Sequence, residues 1–239
     1  MDTTRDKTIK ELFWEGGNVL ISATIMLRMV EEDDKDLYLE IQGQNFLARS
    51  MLKDEEARNI LWEEHTRDYA LMCSILVEGR YVGYCGINNV KREKWEIAIE
   101  LLQENTNQGI GYLAISGFVK SVRERLGVSE FRIRMAPGNI ASQKLFEKIG
   151  AVPYGISSIF PSMTFEEDDE NDFGFINDNT IAVAEKFGVE PKKLLSHFLE
   201  YNMQISLDRV YVIYLSIVNI ILDKYRNLSK EISLELSFH

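Results

Sequence analysis

The chain has 239 residues, 45% hydrophobic and 27% charged, enough for one sizeable core or an ordinary domain with a smaller attachment. Its net charge of −11 disfavours non-specific nucleic-acid binding and tilts any small partner toward cations such as amines. No stretch approaches the roughly 20 apolar residues of a membrane-spanning helix, and the charged opening MDTTRDKTIKELFWEGG lacks a secretory signal's apolar segment, so the expected location is the cytoplasm.

In chain order, Thr8 to Trp14 reads as a short amphipathic helix stopped by Gly16-Gly17, within an N-terminal extension of residues 1–25. ATIMLRMV reads as a strand and EEDDKDLYLEIQG as a helix whose acidic start suits the positive end of the helix dipole. Lys53 to Tyr69 has apolar residues at helical spacing. ALMCSILV and RYVGYCGI form a hairpin, with Glu78-Gly79 supplying the positive φ of a two-residue turn. A tight hairpin there sets Cys73 opposite Tyr84, turns Cys85 to the other face, and disfavours a disulfide. Trp95 to Leu102 is a third strand.

Ile115, Phe118, Val119, Val122 and Leu126 form one helical stripe ended by Gly127. FRIRM alternates as a strand, and NIASQKLFEKIG follows as a helix with Asn139 as its cap and Gly150 as its end. A last strand is expected near Val152 to Ile159. The order predicts an α+β domain over residues 26–160, with a mixed, mostly antiparallel central sheet flanked by helices.

Beyond it, residues 161–178 contain the acidic run Phe165 to Asp172, which reads as a solvated linker. Residues 179–239 read as an all-helical attachment. One helix starts at Asn179-Thr180, one has Pro191 in its first turn, and one, Leu207 to Tyr225, is apolar on most of its circumference. That last helix must be covered by the main domain or by a second subunit, so the attachment is a candidate dimer surface. Ala184, Gly188 and Leu194 also lie at helix-turn-helix offsets, but with few basic residues nearby DNA is a poor partner for this chain. His65, His197 and His239 have no ligand spacing, so no metal is expected.

NTNQGIGYLAIS, Asn105 to Ser116, carries the chemistry. A strand, a glycine loop and a helix in that order present unpaired N–H groups and a partial positive charge, a site for phosphate. No Lys-Ser or Lys-Thr follows, which excludes a P-loop. Ala114 stands where a dinucleotide fingerprint has its third glycine, and the preceding strands form a meander rather than a βαβ opening.

The combination resembles the GNAT superfamily of N-acetyltransferases, which bind acetyl-CoA. Gly109 and Gly111 match the glycines of its Arg/Gln-x-x-Gly-x-Gly/Ala loop, while Thr106 departs from the Arg/Gln position. Asn139, Ser142, Lys148 and Gly150 match a second family pattern in register. PGNIASQKLFEKIGAVPYG is most similar to the branch that includes ribosomal-protein N-terminal acetyltransferases, and Glu96 matches a glutamate of that branch.

The resemblance implies that Asn107, Gln108, Gly109, Ile110, Gly111, Tyr112 and Asn139 contact the cofactor, with backbone groups near Leu101 and Gln103 pairing with its pantetheine arm. Glu96 and Glu100 are the candidate bases for a primary amine, and both fall on one face of their strand. Phe146 occupies the place of the usual tyrosine acid, which leaves Ser142 as the candidate donor. The expected function is acetyl transfer from acetyl-CoA to a peptide N-terminus or a small cationic amine. The alternative is an acetyl-CoA-binding protein of weak activity whose C-terminal segment is an interaction or helix-turn-helix-like module.

Overall fold

The structure is a computed structural model that describes residues 7–44, 46–159 and 176–205. Helix α1 (Ile9–Trp14) starts at a capping box in which Thr8 and Glu11 satisfy each other's backbone N–H groups. Strands β1 (Val19–Leu20) and β2 (Ile25–Met29) follow, then helices α2 (Lys35–Gln44), α3 (Phe46–Met51) and α4 (Glu55–Thr66). Strands β3 (Leu71–Val77), β4 (Arg80–Ile87) and β5 (Trp95–Leu101) form the expected meander. Helix α5 (Ile110–Leu126), strand β6 (Glu130–Met135), helix α6 (Ile140–Ile149) and strand β7 (Val152–Ser158) continue the chain, and α7 (Asp178–Phe187) and β8 (His197–Gln204) complete the described residues.

The sheet has eight strands in the order β1-β2-β3-β4-β5-β6-β8-β7. Its only parallel pair among the described residues is β5 with β6, and α5 makes the crossover that such a pair requires. Helices cover both faces. Phe13, Ile115, Phe118 and Val122, all 0% exposed, lie on one side with α1, α5 and α6. Tyr38, Leu39, Ile41 and Trp62 of α2 and α4 pack on the other side against Met72, Leu76 and Tyr84 of the sheet. Full burial of each large apolar side chain contributes about 1.5–3 kcal/mol.

Two expectations change. Glu78 and Gly79 do form the tight turn, at φ 52° and 78°. However, a bulge follows: Leu76 pairs with Tyr81 and Ile75 with Gly83, so Val82 is the extra residue. Cys73 therefore lies opposite Cys85 rather than Tyr84, and both are buried free thiols. Gly83 is required at this bend, because a Cβ there would lie 2.3 Å from the Glu100 carbonyl oxygen.

The second change concerns the helical attachment. Its first helix is present, α7, capped by Asn177 and ended by Gly188 at φ 63°. Pro191–Leu195 is only a short 3-10 turn, and His197–Gln204 is a strand inserted antiparallel between β6 and β7. Leu199, Tyr201 and Met203 alternate inward and are at most 1% exposed, so sheet burial overrides helical continuation here. No second helix follows the Gly188 turn among the described residues, which removes the helix-turn-helix alternative. The acidic run 165–172, the apolar stretch 207–225 and the dimer surface expected from it lie outside the described residues.

The start of α2 is anchored to the sheet. Arg28 donates to both oxygens of buried Asp34 at 2.7 and 2.8 Å, and Ser74 donates at 2.6 Å. Burial by itself would raise the Asp34 pKa, but these donors and the Glu31 amide hold the carboxyl below its ordinary value. The far end of α2 reaches the candidate site.

Candidate active site

Strands β5 and β6 pair at only two positions, Trp95 with Phe131 and Glu96 with Arg132. Beyond Glu96 the strands part, while β6 continues its ladder with β8 as far as Met135 opposite Leu199. The β6-facing edge of β5 from Ile97 to Leu101 therefore has no ladder partner among the described residues. Such an edge within a sheet accepts an extended polar chain through main-chain hydrogen bonds.

The glycine loop lies just past the end of β5. Gln103–Asn105 makes a 3-10 turn, closed by Thr106 Oγ1 donating to the Gln103 carbonyl at 2.8 Å. Gln108 Nε2 braces the next bend by donating to the Glu104 carbonyl at 2.6 Å. Asn107 and Gly109 both have positive φ, 59° and 78°, and Gly109 caps α5. The first ladder bond of α5 runs from Leu113 N to Gly109 O at 3.1 Å. The N–H groups of Ile110, Gly111 and Tyr112 therefore precede the ladder and face out of the helix end. Nothing lies within 4 Å of a Cβ built on Gly109, so the space before the helix is open. Open space, exposed amides and the dipole of a 17-residue helix fit a pyrophosphate.

The two glycines differ. Gly109 supplies a backbone angle that L side chains rarely adopt. A Cβ on Gly111 would only touch Ile99, Leu145 and Leu101 at 3.5–3.7 Å, ordinary contact distances, so alanine is sterically allowed there. The buried Tyr112 ring carries the Lys148 ammonium 4.5 Å from its centre, which brings the lysine of the second motif beside the first turn of α5.

That motif mainly builds α6. Asn139 Oδ1 accepts the Ser142 N–H at 3.0 Å, and Gly150 ends the helix at φ 105°. Phe146 is 3% exposed and belongs to the core. Ser142 is half-buried in the first turn.

Glu96 and Glu100 share a face of β5 but not an environment. Glu96 accepts from Arg132 at 3.1 Å and Arg134 at 2.9 Å, with Arg92 at 4.0 Å. Its side chain is 13% exposed, which makes it the hub of an ion-pair cluster that ties β5 to β6. Glu100 stands where the strands have already parted. It is directly opposite Tyr84, whose hydroxyl donates to it. Its carboxylate reaches solvent, yet the protein crowded around it raises its pKa above the ordinary carboxylate value, and the Tyr84 bond only partly offsets this. Nearby His65 is stacked on Tyr38 at 4.1 Å between centroids; burial lowers its pKa to about 4, so it is neutral at pH 7.

Leu101 and Gln103 flank the end of the gap. The Leu101 carbonyl accepts from Gln44 Nε2 at 3.2 Å, and the Gln103 carbonyl is engaged by Thr106 N at 3.2 Å. Gln42, Gln44 and Tyr84 were not among the candidates from sequence. The pairing of Tyr84 with Glu100 is set by the loop 88–94 that joins β4 to β5, too long to fix a register by turn type. A cavity of about 440 Å³ lined by Lys94, Phe131, Val152 and Met203 opens at the beginnings of β5 and β6, the opposite end from the glycine loop. It contains none of the candidate residues.

Several solved structures share the fold. RimL, a ribosomal L7/L12 alpha-N-protein acetyltransferase in complex with coenzyme A, superposes with a TM-score of 0.56 at 15% identity, covering 79% of this chain and 98% of that one. The Salmonella typhimurium acetyltransferase described as modifying the N-terminal serine of L7/L12 gives 0.52 at 14%, covering 79% and 99%. The microcin C7 self-immunity acetyltransferase MccE, in complex with acetyl-CoA and AMP, gives 0.53 at 13%, covering 77% and 94%. No curated protein sequence is a significant match. Residues 24–152 match the acetyltransferase (GNAT) domain family, the stretch that holds both the parted strands and the capped helix. The chain belongs to the GNAT acetyltransferase family.

Proposed function

We propose that this protein transfers the acetyl group of acetyl-CoA directly to a primary amine, with Glu100 as the base. The observation that carries this reading is the parting of β5 from β6 beyond Glu96, with Glu100 on the open stretch and the Gly109 cap just past its end. Acetyl-CoA supplies the acetyl group as an activated thioester. The amides of Ile110 to Tyr112 hold its pyrophosphate, within the loop Asn107 to Tyr112, and the open edge of β5 near Leu101 and Gln103 aligns its extended arm. Asn139 orders the start of α6 beside the gap.

An alkylammonium has a reference pKa near 10.4 and must lose a proton before it can attack. Glu100 takes that proton, through water, and its raised proton affinity suits the task. Glu96, already shared between two arginines, anchors β6 instead. The Ser142 hydroxyl relays a proton to the departing sulfur and recovers one from water, since Phe146 cannot donate. The acceptor is a peptide N-terminus or a small cationic amine. The net charge of −11 supports the second, and the alpha-N-protein activity of RimL, which shares the fold, supports the first. Among the described residues no helix is long and apolar enough to cross a membrane, in keeping with the cytoplasmic site that we infer.

The test is thiol release from acetyl-CoA with a panel of short peptides beginning Ser, Ala or Met, and of diamines and polyamines. At least one acceptor should give amine-dependent release that Glu100→Gln lowers by roughly 10²–10³. Cofactor binding without release on the whole panel would instead favour the second reading, a binding protein of weak activity, which the buried Phe146 supports.

A further inference from the structure

We infer that Tyr84, keyed by Gln42, is a positioning residue that fixes the Glu100 carboxylate in the gap. This rests on the reading of Glu100 as the base. Tyr84 on β4 is the direct cross-strand neighbour of Glu100 on β5. Gln42, in the last turn of α2, donates its Nε2 to the Tyr84 oxygen at 2.9 Å and lies 3.5 Å from Glu100 Oε2. The orientation of this amide is dictated by chemistry. A carboxylate only accepts, so the carbonyl end of Gln42 cannot face Glu100 without repulsion. With the amide N–H directed at its oxygen, Tyr84 turns its own hydrogen away, toward Glu100. The chain thus runs one way, from Gln42 to Tyr84 to Glu100, and each bond polarises the next.

The surroundings leave Glu100 few other partners. Tyr38 and Tyr81 face the same cluster, and His65 presents its ring edge to Tyr84 at 4.7 Å. Glu64 lies farther out, near Tyr38. No cation contributes to the Glu100 environment among the described residues. Burial raises the proton affinity of Tyr84 well above that of an ordinary phenol, so its hydroxyl stays protonated throughout the working pH range and acts only as a donor. Gln44 donates to the Leu101 carbonyl from the same end of α2, so that end is fastened to β5 at two adjacent residues. The base is held from a helix, not from its own strand alone. Its only side-chain hydrogen-bond partners among the described residues are Tyr84 and, at 3.5 Å, Gln42.

The test separates this claim from the proposed activity. Protein labelled with carbon-13 at the glutamate carboxyls is titrated by NMR, with Glu100→Gln identifying the Glu100 signal. In Tyr84→Phe, which keeps the ring, the Glu100 titration should move to higher pH, because burial is then opposed by no hydroxyl. Gln42→Leu should move it the same way by less. An unchanged Glu100 titration in Tyr84→Phe overturns the inference, whether or not any amine is ever acetylated. With an active acceptor, the acid limb of kcat/KM in Tyr84→Phe should shift upward with the NMR titration, and kcat on that limb should fall roughly tenfold. A shift in the NMR titration with no shift in the rate profile would contradict Glu100 as the base while leaving the hydrogen bond intact.

Discussion

The two ends of β5 carry the same residue type on the same face and do different things with it. At its beginning β5 is laddered to β6, and Glu96 is spent on Arg132 and Arg134 across that seam. Four residues on, the seam has opened, and Glu100 has only neutral partners and a raised proton affinity. A carboxylate paired with guanidiniums holds structure, whereas one surrounded by tyrosines and an amide can exchange a proton. The environment sets the role, and the parting of two strands sets the environment.

Substituting each carboxylate in turn sharpens the contrast. Glu100→Gln should lower kcat/KM by roughly 10²–10³, the usual contribution of a general base, with little change in melting temperature. In the wild type only the ionised carboxylate works, so activity is lost as pH falls through a value above the ordinary carboxylate range. Glu96→Gln should do the reverse. It takes away the carboxylate that Arg132 and Arg134 share, leaving Arg132 only Glu200 at 3.6 Å, and should cost about 1–2 kcal/mol of stability, a drop of several degrees in Tm, while kcat/KM of the folded enzyme stays within roughly threefold. Equal losses of activity from the two variants would break the comparison. The smallest effect is expected from Ser142→Ala, roughly tenfold in kcat at most, because a thiol of pKa about 8.5 leaves tolerably without a strong acid.

Much of this was legible in the sequence, and the failures have specific causes. The capped helices were readable because Thr8, Asn139, Gly127 and Gly150 are local signals whose physics needs no tertiary partner. The glycine loop and the second motif carried the family resemblance, which the match of residues 24–152 bears out. The bulge at Val82 was not readable, because it answers a close approach by the Glu100 carbonyl from another strand. It displaced the cysteine pairing, while the loop 88–94, too long to dictate a register, concealed the pairing of Tyr84 with Glu100. Strand β8 was missed although Leu199, Tyr201 and Met203 alternate cleanly, because Pro191 and two lysines ahead of them resemble a helix start. Gln42 could not have been found, since its meaning lies in where the end of α2 meets the sheet.

The central claim is that the capped start of α5 holds the cofactor, and calorimetric titration of acetyl-CoA tests it most directly. Wild type, Gly109→Ala and Gly109→Glu would be compared. Alanine carries the backbone strain of φ 78° without new charge, about 1–2 kcal/mol. Glutamate adds a carboxylate where the proposal puts the phosphates. The account predicts a dissociation constant on the order of micromolar for wild type, weaker binding for Gly109→Ala, and none for folded Gly109→Glu. Binding that is unchanged in Gly109→Glu, or absent from the wild type, would contradict it.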